Sequence, residues 1–427
     1  MNNDWMAVFE ALNAVYTAGA YSNISINEAV SRHRGCRESF VRTFAKGVLR
    51  ESIRIDFIID TLATKGIKSI KARPLIIIRM GIYAADMLDS VPDHAAVNEA
   101  VSLAKRISKG SDKFINGMLR SYLRRRSEFD SELLEPHIRY SISEGVFSLL
   151  TDQYGGEAVR IAEALNRPSE VYLRTNTLKT DRECIIGLLK EAGIEAEASD
   201  ENPEAIKASG AGIAANPLQK KGAYTIQSLS SMIAVNALAP PKGSKVLDIC
   251  AAPGGKTGYM AEMMQNTGSI IACDIHPHRL DLIRANMDRI GATIVECREM
   301  DGSMYDPEFE DQFDYVLADV PCSGLGVIAG KPEIKLNTDP DTYPGLNQIQ
   351  KSILKNALRY VKPGGRVMYS TCTINKDENE QVVKHVLNND PGLAQIIEMN
   401  TLLPYNGKVG FFYSIIEKNA ILQDGDI

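Results

Sequence analysis

Five apolar runs of strand length, "KVLDIC", "SIIACDI", "TIVECREM", "FDYVLADV" and "GRVMYSTC", follow one another from residue 244, with helical stretches between them. Strand and helix in strict alternation predict an α/β fold with a mostly parallel, doubly wound, Rossmann-like sheet. "GFFYSIIEK" near the end adds a late strand. Ligands of such sheets bind at the carboxyl ends of the strands. Cys322 and Cys372 both fall at such ends.

The first ~130 residues follow a different period, with apolar residues three and four apart. Val8, Leu12 and Val15 form one stripe, Phe40, Phe44 and Val48 a second, and Val97, Val101 and Ala104 a third. Five to seven such helices predict an all-α bundle. The charged run "RSYLRRRSEFDSELLEP" suggests a boundary or linker near residues 127 to 140. After further helix, "EVYLRTNTL" reads as a strand and "DRECIIGLLKEAG" as a helix capped by Asp181 and stopped by Gly193, which together suggest a small α+β subdomain. The expected domains are 1–135, 136–235 and 236–427. The sequence contains no internal repeats.

At 427 residues, with 44% hydrophobic and 24% charged residues, the chain reads as soluble and globular. No stretch approaches the ~20 apolar residues of a membrane span, and the start has no signal-peptide pattern, so a cytoplasmic location is expected. Seven scattered cysteines without a C-x-x-C pair indicate neither a disulfide framework nor a zinc site. His276 and His278 read as a solvated loop pair, and no metal is expected. The net charge is −6, yet residues 1–126 hold 20 Lys and Arg against 12 Asp and Glu. A basic front half on an acidic protein suggests a polyanion partner, nucleic acid foremost.

The first strand of the alternating region ends in "VLDICAAPGGKTG", residues 246–258. Glycines at a strand-to-helix turn admit a ligand to backbone amides and to the helix N-terminus. The spacing is not G-x-G-x-x-G, which disfavours a dinucleotide and a nicotinamide oxidoreductase. Asp274 closes the second strand and suits a ribose, while Asp301 follows the third, where an adenine would lie. Ribose and adenine without a pyrophosphate site suggest S-adenosylmethionine. Two thiols at the next strand ends then suggest carbon 5 of a pyrimidine, which becomes nucleophilic only after a thiolate adds to carbon 6. One thiol adds and the second assists release, but spacing alone does not rank them. Asp319 suits the cytosine amino edge or N3, and Lys256 suits orienting the pair.

"DICAAPGGKT", "DVPCSGLG" and "YSTCTINKDENE" resemble the signature motifs of the NOL1/NOP2/Sun family of RNA cytosine-C5 methyltransferases. "VPDHAAVNEAVSLAK" and "FINGMLRSYLR" resemble the NusB-like helical RNA-binding domain. Bacterial members that combine the two act on 16S ribosomal RNA, so the resemblance implies that substrate, S-adenosylmethionine as cofactor, and a monomer. It places the cofactor loop on Cys250, Ala251, Ala252, Pro253, Gly254, Gly255 and Lys256, with further contacts at Asp274, Asp301 and Asp319. It makes Cys372 the nucleophile and Cys322 the thiol of product release. The sequence departs from the family pattern at Ser228, where an Asp is usual, at Lys331 and Lys335 in place of an Arg-rich stretch, and at Val409 for an Asp. The rival readings are transfer RNA or another ribosomal cytosine as substrate, or an RNA-binding assembly module with an inactive methyltransferase fold.

Overall fold

The computed structural model describes residues 3–336 and 340–420. The chain forms two compact units, Met1–Arg167 with Ile328–Pro340, and Pro168–Val327 with Asp341–Ile427.

The first unit is all-α. Seven helices, α1 (Asn3–Ala18), α2 (Ser22–Arg32), α3 (Glu38–Arg50), α4 (Ser52–Leu62), α5 (Ala72–Met87), α6 (Asp93–Ile107) and α7 (Asp112–Arg124), surround one apolar core. The expected stripes face it: Val8, Leu12, Val15, Phe44, Val48, Val97 and Ala104 are buried. Trp5 meets Phe44 edge to face at 5.1 Å, and Phe44 stacks on Tyr83 at 5.7 Å.

The charged run after α7 differs from a free linker. Phe129 is buried in this core, and Arg126 pairs with Asp86 at 3.1 Å, so the start of the run is fastened to the bundle. Helices α8 (Pro136–Arg139), α9 (Glu144–Tyr154) and α10 (Ala158–Asn166) belong to the same unit. Ser141 shows why. Glu51 leaves the first amides of α4 without a side-chain cap, and Ser141 Oγ accepts from Ile53 N at 3.0 Å and Arg54 N at 3.3 Å.

The segment from Ile328 to Pro340 completes the unit. Ser22 donates through N and Oγ to the two carboxylate oxygens of Glu333, at 3.2 and 2.7 Å. Lys335 donates to Arg50 O at 2.7 Å and to Asn166 Oδ1 at 2.6 Å. Both side chains are buried.

The second unit holds two sheets. The smaller contains β1 (Val171–Thr175), β2 (Glu195–Ala198), β3 (Ala205–Ser209) and β4 (Tyr224–Ile226) in the antiparallel order β2-β3-β1-β4. Its helix α11 (Arg182–Glu191) is capped as expected: Asp181 Oδ1 accepts from Cys184 N at 2.8 Å. Short helix α12 (Pro217–Lys220) and helix α13 (Leu229–Leu238) lead onward.

The larger sheet follows from β5 (Lys245–Asp248), α14 (Gly255–Met263), β6 (Ser269–Asp274), α15 (Pro277–Ile290), β7 (Val295–Glu299), β8 (Phe313–Asp319), α16 (Tyr343–Tyr360), β9 (Val361–Thr371), α17 (Glu380–Asn388), β10 (Ala394–Leu402) and β11 (Phe411–Lys418). Its order is β10-β11-β9-β8-β5-β6-β7, with β5 through β9 parallel and the last two strands antiparallel. Apolar cores lie on both faces, which is why the inner strands read as unbroken apolar runs.

A buried ion pair ties the small sheet to α14. Arg174 of β1 donates from Nε and Nη2 to the two oxygens of Glu262, each at 2.8 Å, with both side chains 1% exposed. Burial raises the Glu262 carboxyl, and Arg174 opposes that rise. Removing one partner of such a pair strands the other charge, a loss of about 3–5 kcal/mol. Glu262→Ala is therefore expected to lower stability by roughly that amount in urea unfolding, whereas Arg174→Met with Glu262→Met together recovers most of it.

Candidate functional site

Four carboxylates end successive strands of the parallel sheet. Asp319 closes β8, Asp248 closes β5, Asp274 closes β6, and Asp301 lies two residues beyond β7. With strands spaced about 4.8 Å, these ends span about 14 Å along one sheet edge. The next strand, β9, places Cys372 one residue past its end, beside β8 and Asp319.

The loop between β5 and α14, with the first two residues of α14, carries the expected cofactor residues Cys250 through Lys256. It is tied to β6 through Ala251 N to Cys273 O and closes on itself through Gly254 N to Ala251 O, both 2.7 Å. Gly254 has a φ of +95°, and a Cβ there would lie 3.2 Å from Met287 Cε, so glycine serves both backbone and packing. Gly255 opens α14, and a Cβ at that position would stand in ordinary contact with Gln227 Nε2, at 3.9 Å. Arg174 Nη1 donates to Gly255 O at 2.8 Å, fixing that opening turn. Burial raises the Cys250 thiol, and the neighbouring Asp248, Asp319 and Asp274 add to the rise. Cys250 is therefore held as a thiol in this loop.

Asp248 Oδ2 accepts from Thr257 Oγ1 at 2.7 Å, while the buried Oδ1 has no hydrogen-bond partner in the structure. Burial pushes its carboxyl up to about 7. Asp274 accepts from His276 N at 3.1 Å and pairs with Arg279 at 3.1 Å. Pro253 and Asp301 are exposed, and Asp301 holds the turn that follows β7 by accepting from Ser303 N at 2.9 Å. These residues fit an adenosyl ligand by two observations: an orphaned buried oxygen beside a glycine-lined helix start, and carboxylates along the strand ends.

The two thiols meet. Cys322 Sγ and Cys372 Sγ lie 3.4 Å apart, although fifty residues separate them. Lys256 Nζ donates to Asp319 Oδ2 at 2.5 Å and stands 5.2 Å from the Phe411 ring centroid, and Ser370 Oγ donates to Asp319 Oδ1 at 2.8 Å. Burial alone lowers the Lys256 ammonium, but Asp319, with Cys372 and Asp248, outweighs it and raises the pKa. The Cys322 thiol is raised well above its ordinary value by its hydrogen bond with Cys372, then by burial and by the charges of Cys372 and Glu378.

Glycines clamp the thiol loops together. Gly326 N donates to Cys372 O at 3.0 Å, and Gly410 N to Gly326 O at 2.9 Å. A Cβ on Gly326 would stand 2.0 Å from Gly410 O.

Sequence reasoning missed Glu378, Gln350 and Asn375. All three are buried. The Glu378 carboxylate accepts from Ser323 N at 2.7 Å, Gln350 Nε2 at 3.0 Å and Asn375 Nδ2 at 3.1 Å. The run "KDENE" contains Glu378, but nothing in its sequence indicates a partner fifty-five residues upstream.

Three departures acquire structural roles. Ser228 caps α13, its Oγ accepting from Ser231 N at 3.3 Å, which a shared preference of Ser and Asp for N-caps explains. Lys335, read as a local cation, is instead buried, and burial pushes its amine down to about 7, so of the two lysines only Lys331 is exposed. Val409 O accepts from Ser230 Oγ at 2.7 Å, a backbone role that tolerates many side chains. His276 and His278 are exposed and stack at 5.5 Å. Among the described residues no group of three or more His, Cys, Asp or Glu is placed to hold a metal ion, and no helix is long and apolar enough to cross a membrane.

Comparison with known proteins bears on the same regions. Residues 235–413 match a family of 16S rRNA methyltransferases described as RsmB/F, residues 5–124 the NusB family, and residues 147–212 the ferredoxin-like domain of RsmF/B-like methyltransferases. The probable ribosomal RNA small subunit methyltransferase B of Bacillus subtilis is 35% identical over 92% of this chain and 90% of its own length. A human 28S rRNA (cytosine(4447)-C(5))-methyltransferase is 38% identical over 64% of this chain and 34% of its own length. The crystal structure of PH0851 superposes with a TM-score of 0.84 at 25% identity, over 97% of this chain and 98% of that one.

The Asp248 carboxyl gives a pH signature. Its folded pKa, about 7, exceeds the ordinary value of 3.8, so the folded state loses stability as pH rises from about 4 to about 7. Asp248→Asn is expected to remove that loss. Its urea midpoint relative to the unsubstituted protein should rise between pH 4.5 and pH 8, and an unchanged difference would contradict the raised pKa.

Proposed function

This chain belongs to the RsmB/F family of 16S rRNA methyltransferases, and on that premise we propose that it methylates carbon 5 of one cytosine in 16S ribosomal RNA through a covalent adduct on Cys372. The observation that carries the reading is the thiol pair, 3.4 Å apart, beside the Lys256–Asp319 ion pair at the end of the parallel sheet. A thiol pair has no evident structural purpose at a half-buried strand end, where a disulfide is not formed and other small side chains would pack.

The residues divide the work as follows. The loop from Cys250 to Lys256 and the carboxylates Asp274 and Asp301 hold S-adenosylmethionine, with Asp274 toward the ribose and Asp301 toward the adenine. When bound, that group supplies a methyl on a positively charged sulfur, for which the acidic strand ends form a suitable field. Cys372, as thiolate, adds to carbon 6 of the cytosine and so makes carbon 5 electron-rich. Asp319 hydrogen-bonds the amino edge or N3, and Lys256 keeps Asp319 oriented while its charge favours the Cys372 thiolate. After transfer, a base takes the carbon-5 proton, the freed electron pair restores the carbon 5–carbon 6 double bond, and the carbon 6–sulfur bond breaks to release Cys372 as thiolate, a step that Cys322 assists.

A thiol can meet carbon 6 only on an unstacked base, so single-stranded or immature RNA suits the site better than a closed duplex. The basic excess of the N-terminal residues suits contact with RNA phosphates. We place the start of the catalytic domain near residue 235, with the helical unit running on to Arg167 past the division at 135 expected from the sequence, and take the enzyme as a cytoplasmic monomer.

The test is transfer of labelled methyl to protein-free 16S ribosomal RNA, to assembled small subunits and to transfer RNA. Label on carbon 5 of one cytosine in free 16S RNA is expected. Label confined to transfer RNA or to another ribosomal RNA would overturn the substrate. Cys372→Ser is expected to bind the adenosyl cofactor with unchanged affinity and lose turnover by at least about a thousandfold. Cys322→Ala is expected to accumulate a protein–RNA adduct that survives denaturing electrophoresis under turnover conditions.

A further inference from the structure

We propose that the groove between α16 and α17 is an RNA-holding track, which takes the sugar–phosphate backbone of the single strand flanking the target cytosine. The proposal takes its occupant from the methyltransferase reading, while its residues belong to none of the catalytic or cofactor groups described above.

The 18 residues of α16 include three cations, Lys351, Lys355 and Arg359, and no acid. Of the 48 Lys and Arg and 54 Asp and Glu in the chain, 20 and 12 precede residue 127, so this helix lies in the acidic part of the sequence. Its cations recur at every fourth residue, which sets them on one helical face, about 6 Å apart along the axis. That face looks onto α17, which adds Lys384 and His385.

Two hollows of about 610 and 450 Å³ run between the helices and share Lys351 and His385, so they form one continuous groove. One end is marked by Asp377, the residue before Glu378, whose carboxylate holds Ser323 N beside Cys322. Lys418, the last residue of β11, marks the other. A strand lying in the groove therefore leads away from the loops that carry the thiols.

Folding supplies no reason for this stripe. Like charges at i, i+4 destabilise a helix, and α17 answers them with a further cation where an acid would relieve them. Arg359 is matched in part, by Glu310 at 3.7 Å and by the Tyr305 ring centroid at 3.7 Å, and Lys418 pairs with Asp311 at 2.6 Å. Among the described residues Lys351, Lys355 and Lys384 make no ion pair. Lys355, Lys384 and His385 are exposed and Lys351 is half-buried. The acids of the groove, Glu310, Asp377 and Asp390, stand toward its ends and leave the middle cationic. Between the lysines, Gln381, Asn388 and Asn389 offer amide donors and acceptors of the kind that ribose hydroxyls and base edges accept. A trench between two neighbouring helices admits one strand and excludes a duplex, whose own width exceeds the helix spacing of about 8–10 Å.

The experiment uses the full-length protein and single-stranded oligouridine, a sequence-neutral probe. Acetylation of lysines by acetic anhydride, resolved by peptide mass spectrometry, is expected to fall several-fold at Lys351, Lys355 and Lys384 when the RNA is present. Equal acetylation of all three with and without RNA overturns the proposal. A variant joining Lys351→Gln, Lys355→Gln and Lys384→Gln is expected to make the slope of log affinity against log salt shallower by about 2. The advantage of the unsubstituted protein over this variant then shrinks roughly fifteen- to twentyfold between 50 and 200 mM salt. A control joining Lys190→Gln, Lys220→Gln and Lys242→Gln removes the same net charge and is expected to keep the original slope. An unchanged slope in the groove variant overturns the track, as does an equal loss in the control.

In methyl transfer to 16S ribosomal RNA the groove variant is expected to raise KM and leave kcat unchanged, and a fall in kcat alone overturns the flanking role. The oligouridine measurements need no methyl transfer, so failure of the substrate reading leaves them intact. Failure of the groove measurements in turn leaves methyl transfer by the unsubstituted protein intact.

Discussion

Arg174 reaches out of the small antiparallel sheet to close two hydrogen bonds on Glu262, in the last turn of the helix that follows the glycine loop. The same guanidinium holds Gly255 O at the start of that helix and stands 4.9 Å from the Tyr259 ring centroid. A planar cation with five donors suits this task, since it satisfies a carboxylate and a carbonyl at once in a dry place. The position of the helix N-terminus, and hence of Lys256 one residue further on, depends on a residue eighty positions earlier. Asn176 strengthens the same seam by donating to Gly222 O and Ile290 O. The small sheet thus acts as a brace for the loop that a nucleotide-like ligand would approach.

From Lys256, in the first turn of α14, the chain of dependence runs through Asp319 to Ser370, two residues before Cys372. The second link is a short contact between strand ends, where backbone pairing has already fixed the spacing: Asp319 and Ser370 are register partners in adjacent parallel strands. A reactive pair built on strand ends is more sharply positioned than one carried by loops alone. The loops bearing the sulfurs gain comparable definition from the Gly326–Gly410 approach and from the buried Glu378. Stiffness of this kind suits chemistry in which one sulfur must reach a ring carbon while the other stays close but unreactive.

The sequence disclosed the alternating sheet, the capped helix at Asp181 and the series of carboxylates at strand ends, because each leaves a local trace in period or spacing. It was silent where a role depends on distant partners. Lys335 looked like a surface cation, and only the carbonyl of Arg50 and the amide of Asn166 explain its burial. The charged run after Arg124 looked like a tether, yet Arg126 had two acids, Asp86 and Asp93, waiting on the bundle. Strand β10 left no clear period because much of "AQIIEMNTL" is exposed or half-exposed, so pairing with β11, not burial, defines it. Gln350 shares no motif with Glu378, and the helix that carries it gives no sign of the contact.

The segment from Ile328 to Pro340 belongs to the helical unit although it lies 161 residues beyond Arg167 in the chain. During synthesis the first ten helices therefore emerge well before the piece that receives Ser22 and supplies the Lys335 amine to Arg50 O. At translation rates of about 5–20 residues per second, that interval is on the order of ten to thirty seconds. Over that time the nascent bundle must persist with an open seam, and its closure coincides with the appearance of the loop that carries Cys322. Completion of the helical unit and completion of the thiol site are thereby placed at nearly the same moment in the life of the chain.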